Sequence, residues 1–237
     1  VLVVDWDLEA PGVHRYFAPF LGDPGLEGTD GLMDLILRYV VACGEPADSD
    51  DPDWWVPLTD TAAYVQRLEW SHFGTRSGPG GEQRGLVDVM GAGRQDDDYA
   101  AKVNQFDWNR FYAHFAGSTF LDRVFERLRD PDEGTRYDIV ILDSRTGVSD
   151  TSGICTVQLP DTLVTFFTLN NQSIYGASSV ARAVHAQRRD RPIAIYPVPT
   201  RIELSDRERR DARRALALLP KLREEYAADE YIVKVRD

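Results

Sequence analysis

The chain has 237 residues, 43% of them hydrophobic, which is enough for one large α/β domain or two small ones. Its formal net charge of −12 repels phosphate backbones and anionic lipid, so we expect no direct binding to nucleic acid. The two cysteines, Cys43 and Cys155, lack CxxC spacing, so the composition excludes a disulfide framework and favours a cytoplasmic protein. No apolar run reaches the roughly 18 residues of a membrane span.

The chain opens on residues 1–4, a run that is apolar on both faces and is therefore typical of a buried parallel strand. Pro11 precedes a short predicted helix at residues 13–21, and apolar residues at helical spacing predict a second helix at 31–43. A native start brings Met and usually further residues before the first strand, so we expect that the N-terminus has been lost.

The stretch from about residue 22 to 130 breaks the alternation of strands and helices, and we interpret it as a large helical insertion. Its predicted parts, in chain order, are an acidic loop at 45–57, a helix at 59–70, an exposed glycine-rich loop at 74–85 without GKS or GKT, a short strand at 86–90 that leads into Gly91-Ala92-Gly93, and one or two helices at 106–128.

The pattern becomes regular after residue 136. Strands are predicted at 137–142, 162–169 and 193–198, and helices at 151–159, 174–188 and 206–226. Strands that alternate with helices indicate βαβ units and a parallel sheet. The fold class is therefore α/β, with three layers in which helices flank a mostly parallel sheet, and we expect one domain over residues 1–237.

Two of the buried strands end in carboxylates, and ligands of open parallel sheets bind at the carboxyl ends of the strands. Asp143 follows four apolar residues, which is the Walker B pattern, although many buried strands end in Asp for solubility alone. A carboxylate held there orients the water shell of a Mg²⁺ bound to phosphates. Arg145 and Gly147 follow it; glycine allows a phosphate to approach the backbone, and arginine reaches phosphate oxygens.

Asp5 and Asp7 follow the first strand and, at a spacing of two, share one side of an extended chain. Paired carboxylates could position a water molecule for attack on a phosphoryl group. Alternatively, one aspartate is structural and caps the next turn while the other is exposed. On spacing alone both interpretations stay open.

These residues together resemble a known family. The sequence VLVVDWDLEAPG at residues 1–12 is similar to the second-strand motif of ParA/MinD-type ATPases of the SIMIBI class of P-loop NTPases. Residues 137–143 resemble their Walker B strand, 160–169 their next strand, and 170–176 the turn into the following helix. The chain looks closest to a branch with D-W-D-L-E-A-P-G and D-S-R-T-G, whose members are often fused to other modules in bacterial signalling or defence proteins.

The resemblance implies a P-loop NTPase-like fold and a Mg²⁺- and ATP-dependent switch that forms a homodimer across the nucleotide. It implies that Asp7 positions the attacking water, that Asp5 lies near the Mg²⁺ shell and that Asp143 is the Walker B carboxylate. The nucleotide contacts that it implies come from Arg145, Thr146, Gly147, Pro199 and Arg201, with Gly147 N–H near the γ-phosphate and residues 199–201 near the base.

Three departures from the family pattern stand out. The family's lysine-containing Walker A loop comes before the strand that opens this chain, so we expect this piece to hold ATP poorly alone. Arg145-Thr146 replaces the usual Pro-Pro after the Walker B strand. Pro199-Thr200-Arg201 stands where many relatives carry an asparagine that contacts adenine.

Two other functions remain as alternatives. The first is a catalytically silent interaction module on the same fold, in which the acidic insertion, with Trp54 and Trp55, recruits a protein partner. The second is a dinucleotide-binding Rossmann domain, in which Asp5 binds a ribose. The four histidines show no metal-ligand spacing.

Overall fold

The computed structural model describes residues 1–45, 51–68, 75–78, 81–130, 137–145 and 153–201, with the backbone alone at 75–78 and 81–84. The chain divides into two compact units, Val1–Thr146 and Gly147–Asp237, and each is described by itself. The expectation of one domain over the whole chain stays a prediction.

The first unit is built on a four-stranded mixed sheet. Its strands are β1 (Leu2–Asp5), β2 (Gln66–Arg67), β5 (Asp88–Met90) and β6 (Val140–Asp143), in the order β2-β5-β1-β6. β1 pairs in parallel with β5 and β6, and β2 pairs antiparallel to β5. The predicted strands at 1–4, 86–90 and 137–142 are confirmed, with shifted ends, and so is a mostly parallel sheet flanked by helices.

The position of β1 in the sheet explains its composition. All four residues of the strand are buried, Leu2 and Val4 have no exposed surface, and β1 lies between two partner strands. A strand covered on both faces takes apolar residues at successive positions instead of alternating ones. The apolar run therefore predicts both the strand and its burial.

The helices of the first unit are α1 (Val13–Phe17), α2 (Leu32–Gly44), α3 (Tyr99–Gln105), α4 (Trp108–His114) and α5 (Gly117–Arg127), with a 3₁₀ turn at Ala18–Phe20. The buried face of α2 carries Leu32, Leu35, Ile36 and Tyr39 at helical spacing. The Tyr39 ring stacks on Phe120 of α5, with ring centroids 3.9 Å apart. The helices predicted at 13–21, 31–43 and 106–128 are confirmed.

Parts of the expected helical insertion are not helical. The helix predicted at 59–70 is wrong in its described part, which consists of a 3₁₀ turn at Ala62–Tyr64 and then β2. Another 3₁₀ turn, Val56–Thr59, precedes it, and the Thr59 hydroxyl donates a hydrogen bond to the Val56 carbonyl, a local contact that competes with regular helix. Residues 66 and 67, which form β2, pair with β5 and are therefore part of the sheet instead of a helix.

The glycine-rich stretch 74–85 was expected to be a loop, but it contains an antiparallel pair, β3 (Thr75–Gly78) and β4 (Gly81–Arg84). Gly78 pairs with Gly81 at one end of this pair of strands. Backbone hydrogen bonds between two strands need no apolar pattern, so composition alone did not indicate this pair.

The second unit contains a βαβ arrangement of β7 (Thr162–Phe167), α6 (Asn171–Gln187) and β8 (Ala194–Pro199), with β7 and β8 parallel. Its core contains Leu163, Val184 and Ile193. These three elements confirm the predictions for 162–169, 174–188 and 193–198. The predicted helix at 151–159 is a single π-type turn, Ile154–Gln158, and the one at 206–226 lies outside the described residues.

Asn170 explains where α6 begins, because its side-chain oxygen accepts a 2.8 Å hydrogen bond from Ser173 N. Within the part of the chain that the structure describes, no helix is both long and apolar enough to cross a membrane.

Candidate functional site at the carboxyl edge of the first sheet

The parallel register of β1 and β6 brings two of the predicted site residues together. Asp5 is the Cα partner of Asp143, and Trp6 N donates a 2.8 Å hydrogen bond to the Asp143 carbonyl. Neighbouring strands lie about 4.8 Å apart, so the two aspartates end adjacent strands at the same edge. Asp7 follows two residues later, which places three carboxylates at this carboxyl edge.

Asp5 has a structural role. Its carboxylate is fully buried and accepts hydrogen bonds from Asp7 N (3.2 Å), Gly12 N (3.0 Å) and Val13 N (3.1 Å). Burial raises the pKa of Asp5 to about 6, although the three N–H donors act against this shift and the charge of Asp143 adds to it. Of the two interpretations left open above, Asp5 is the aspartate that caps the following turn.

Asp7 differs from Asp5 in what surrounds its carboxylate. The residue is half-buried, and its Oδ1 atom is shielded from solvent without a hydrogen-bond partner among the described residues. Buried carboxylate oxygens normally have partners, because leaving one unpaired costs on the order of 1–3 kcal/mol. The surroundings of this atom therefore fit a cation or an ordered water molecule.

Asp143 extends toward solvent from the end of β6. Partial burial raises its pKa, and the negative charge of Asp7 raises it further. The two carboxylates are thus close enough to repel each other, and a divalent cation beside them would reverse that repulsion.

A complete metal cage is not present among the described residues, where no group of three or more His, Cys, Asp or Glu could hold a metal ion. Mg²⁺ does not require one, since it keeps several waters and is usually bound by one or two carboxylates together with substrate phosphates. Asp7 and Asp143 therefore fit Mg²⁺ that arrives with a phosphate ligand better than a resident structural metal.

Arg145 lies beside the same turn. Its guanidinium forms a 2.7 Å ion pair with Glu9, and both side chains are partly exposed. Glu9 was not among the predicted site residues, although its place two residues after Asp7 in the first motif was a signal. Thr146 and Gly147 lie outside the described residues, so their predicted nucleotide contacts stay predictions.

Pro199 and Arg201 belong to the second unit. Pro199 is the last residue of β8, and Arg201 is exposed with a positive φ of 52°. Thr200 N donates a 2.7 Å hydrogen bond to the Phe167 carbonyl, which fixes the chain just after β8 to the end of β7. The predicted contacts of Pro199 and Arg201 with the base stay predictions.

Tyr99 is a residue at this edge that sequence reasoning missed. Its buried hydroxyl donates a 2.8 Å hydrogen bond to the Leu8 carbonyl. Burial raises the pKa of Tyr99, and the carboxylates of Asp5, Asp34 and Asp7 add to this, so the hydroxyl keeps its proton. No signal in the sequence connects residues 8 and 99, because the contact depends on how α3 packs.

The glycines that follow β5 serve backbone packing. Leu32 N and Met33 N of α2 donate 2.9 Å hydrogen bonds to the carbonyls of Gly91 and Ala92. A Cβ atom on Gly31 would lie 2.3 Å from the Gly91 oxygen. The N–H groups of Leu32 and Met33 thus already have backbone partners, and this glycine segment is not arranged as a cradle for phosphate.

A second buried carboxylate, Asp88, lies at the start of β5 and therefore at the opposite edge of the sheet. It accepts a 2.7 Å hydrogen bond from the Tyr137 hydroxyl and two longer ones from the Arg67 guanidinium. These hydrogen bonds to the Asp88 carboxylate all come from protein side chains. The cluster of Asp88, Tyr137 and Arg67 therefore stabilises the sheet and is not a candidate site.

Comparison of the chain with models of known protein families and with curated proteins found no match.

Proposed function

We propose that this chain forms part of a Mg²⁺-dependent ATP hydrolase that works as a molecular switch of the ParA/MinD type. The observation that carries the proposal is the buried Oδ1 of Asp7, which has no partner among the described residues and belongs to a side chain close enough to Asp143 to raise its pKa. A P-loop NTPase-like fold is part of the proposal, and it agrees with the α/β architecture.

In this proposal, bound Mg²⁺ would partly neutralise the negative charge of the ATP phosphates. Asp7 would orient a water molecule toward the transferred phosphoryl group, and Asp143 would hold the water shell of the cation. Arg145 provides a positive charge that can move from Glu9 to a phosphate oxygen. Asp5 does not touch the ligand; it holds the turn that carries Asp7 by accepting three backbone N–H groups.

The role of Asp5 separates the proposal from the Rossmann alternative. A ribose-binding acidic residue must present its carboxylate to the ligand. Asp5 has no exposed surface and both of its oxygens accept backbone hydrogen bonds. The same contacts argue against Asp5 as a direct Mg²⁺ ligand, and they leave Asp143 for that place.

The proposal also includes the homodimer across the nucleotide and the cytoplasmic location that the resemblance and the composition led us to expect. A dimer of this kind predicts that the molecular mass in solution doubles when ATP and Mg²⁺ are present. Light scattering with and without the nucleotide tests this separately from hydrolysis.

The test of hydrolysis uses the full-length protein and measures phosphate release with ATP and Mg²⁺. Asp7→Ala should lower turnover by about 100-fold and leave ATP affinity within a few-fold, because Asp7 acts on the water and not on the nucleotide. Asp143→Asn should raise the Mg²⁺ concentration needed for half-maximal turnover. Asp138→Asn, an exposed carboxylate just before β6, is the matched control.

Normal turnover by Asp7→Ala would show that Asp7 has been assigned the wrong role. A wild-type protein that neither binds nor hydrolyses ATP would leave the second candidate, an interaction module on the same fold. One observation favours that candidate independently: Trp54 and Trp55, in the acidic loop, line a cavity with other aromatic side chains.

A further inference from the structure

The first unit has an open cavity of about 450 Å³ that the proposed hydrolysis does not use. Ligand-binding pockets usually measure about 300–1,000 Å³, so the space can receive at least one large side chain. The residues that line it are Tyr39, Cys43, Pro52, Trp54, Trp55, His114, Phe115, Ala116, Thr119 and Phe120.

Aromatic rings form much of the wall of this cavity. Tyr39 stacks on Phe120 and meets Trp55 edge-on, with ring centroids 6.4 Å apart. The Tyr39 hydroxyl donates a 2.6 Å hydrogen bond to the Phe115 carbonyl, which fixes the ring that joins the two sides. The wall is therefore held in place before a ligand arrives, and preformed sites lose less entropy on binding.

The cavity is acidic on the side that Pro52 lines, whereas one cation, Arg110, lies over the lining residue Phe115. Asp51 and Asp53 flank the lining residue Pro52 and are exposed, and Glu45 directly follows the helix that contributes Tyr39 and Cys43. None of the described residues that line the cavity is a lysine or an arginine. The faces of aromatic rings also carry negative potential, so rings and carboxylates both favour a cation.

One contact of this kind is already present at the edge of the cavity. The Arg110 guanidinium carbon lies 5.2 Å from the centroid of the Phe115 ring. The triphosphate of a nucleotide would instead be repelled by Asp51 and Asp53, which argues against a second nucleotide site in which a base stacks on Trp54 or Trp55.

We propose that this cavity binds an arginine side chain from a basic segment of a partner protein. Arginine is favoured over lysine because its planar guanidinium stacks on aromatic faces while its edge reaches carboxylates. The inference goes beyond the proposed hydrolysis and does not rest on it, since the cavity is lined by α2, α5, the end of α4 and residues 52, 54 and 55.

The direct test measures fluorescence anisotropy of a labelled Gly-Arg-Gly-Arg-Gly peptide titrated with the full-length protein. A peptide with citrulline at both arginine positions keeps the shape and removes the charge. We expect the arginine peptide to bind at least about tenfold more tightly than the citrulline peptide, and less tightly as salt is added. Equal binding of the two peptides, or no binding of the arginine peptide at millimolar protein, would overturn the proposal.

Variants then place the binding in the cavity. Trp54→Ala removes a wall, Thr119→Trp fills the space from an exposed position on α5, and both should weaken binding at least about fivefold. Trp108→Ala is the control for losing a half-buried tryptophan outside the cavity. Circular dichroism confirms folding, and Thr119→Trp keeps the test decisive if Trp54→Ala unfolds.

The charge contribution has its own pair of variants. The double variant Asp51→Asn with Asp53→Asn should bind the arginine peptide more weakly than the wild type. The double variant Asp97→Asn with Asp98→Asn removes two exposed carboxylates elsewhere and should bind the peptide as tightly as the wild type. Unchanged affinity in Trp54→Ala and Thr119→Trp would mean that the peptide binds outside the cavity. Because these measurements contain no ATP, they can fail while the hydrolysis proposal stands, and the reverse also holds.

Discussion

The Tyr99 hydroxyl donates a 2.8 Å hydrogen bond to the main-chain carbonyl of Leu8. Leu8 follows Asp7 directly, and Asp7 N donates in turn to the buried carboxylate of Asp5. The turn that presents Asp7 is therefore fixed from two sides, by a helix 91 residues away and by the strand that precedes it. Each of these contacts leads to an experiment.

Replacing Tyr99 with phenylalanine removes the hydroxyl and leaves the buried Leu8 carbonyl without its partner. We expect the free energy of unfolding to fall by about 1–2 kcal/mol. Urea unfolding followed by fluorescence measures the loss, and Tyr16→Phe, at a side chain that is 84% exposed, is the control. Equal effects of the two substitutions would mean that the bond to Leu8 contributes nothing measurable.

Asp5 predicts a pH dependence of stability. Its pKa is about 6 in the folded protein and 3.8 ordinarily, so the folded state holds the proton more tightly than the unfolded chain. The stabilisation from this group is complete below about pH 4 and is lost as the pH rises through 6. The wild-type protein should therefore lose up to about 3 kcal/mol relative to Asp5→Asn over that interval.

Urea unfolding at half-unit steps of pH, with both proteins in the same buffers, measures this difference. Only its change with pH is informative, because the asparagine amide faces backbone N–H donors and destabilises the variant at every pH. Asp97→Asn controls for the removal of one exposed negative charge. A difference that stays constant from pH 4 to 6, or changes in the other direction, contradicts the prediction.

Gly31 and Gly44 are at the two ends of α2 and should respond in opposite ways to alanine. A Cβ atom at Gly31 meets the backbone of Gly91 and Gly93 at 2.3 to 2.8 Å, whereas nothing lies within 4 Å of one at Gly44. Backbone atoms cannot move aside cheaply, so Gly31→Ala should cost several kcal/mol, on the order of 3 or more. Gly44→Ala should be neutral or slightly stabilising. Thermal unfolding compares the two, and similar midpoints would refute the predicted close packing.

Tyr137 and Arg67 both bind Asp88, but they should not matter equally. The Tyr137 bond is 2.7 Å and buried, whereas the Arg67 side chain is 57% exposed. Tyr137→Phe should cost about 2 kcal/mol, as expected for a buried hydrogen bond to a carboxylate. Arg67→Gln should cost under about 1 kcal/mol, because solvent screens an exposed ion pair. Urea unfolding gives both values, and the reverse order would mean that Arg67 dominates.

The elements that could be predicted from the sequence are those whose burial leaves a local pattern. Successive apolar residues at 1–4 indicated β1, the spacing of Leu32, Leu35 and Ile36 indicated α2, and alternating segments after residue 160 indicated β7, α6 and β8. Asp5, Asp7 and Asp143 could be placed at one edge because parallel strands of one sheet end on the same side.

The features that could not be predicted depend on partners far away in the chain. β2 is only two residues long, and Gln66 and Arg67 take up the strand conformation by pairing with β5, about 20 residues further along the chain. The different environments of Asp5 and Asp7 follow from where the Gly12 and Val13 N–H groups lie, and a spacing of two cannot distinguish them. Likewise, the contacts of Tyr99 and the shape of the aromatic cavity arise from helix packing.

The central place of β1 also has a consequence for how the protein is made. Leu2 pairs with Asp88 on one side and with Val140 on the other, so a growing chain carries this largely apolar strand long before either partner has left the ribosome. A strand whose partners are distant in the sequence pairs slowly. Until it pairs, its unpaired edges and apolar side chains are exposed and can bind other chains. We therefore expect nascent chains that stop before residue 140 to bind chaperones or aggregate, and solubility on the ribosome to improve once β6 has emerged.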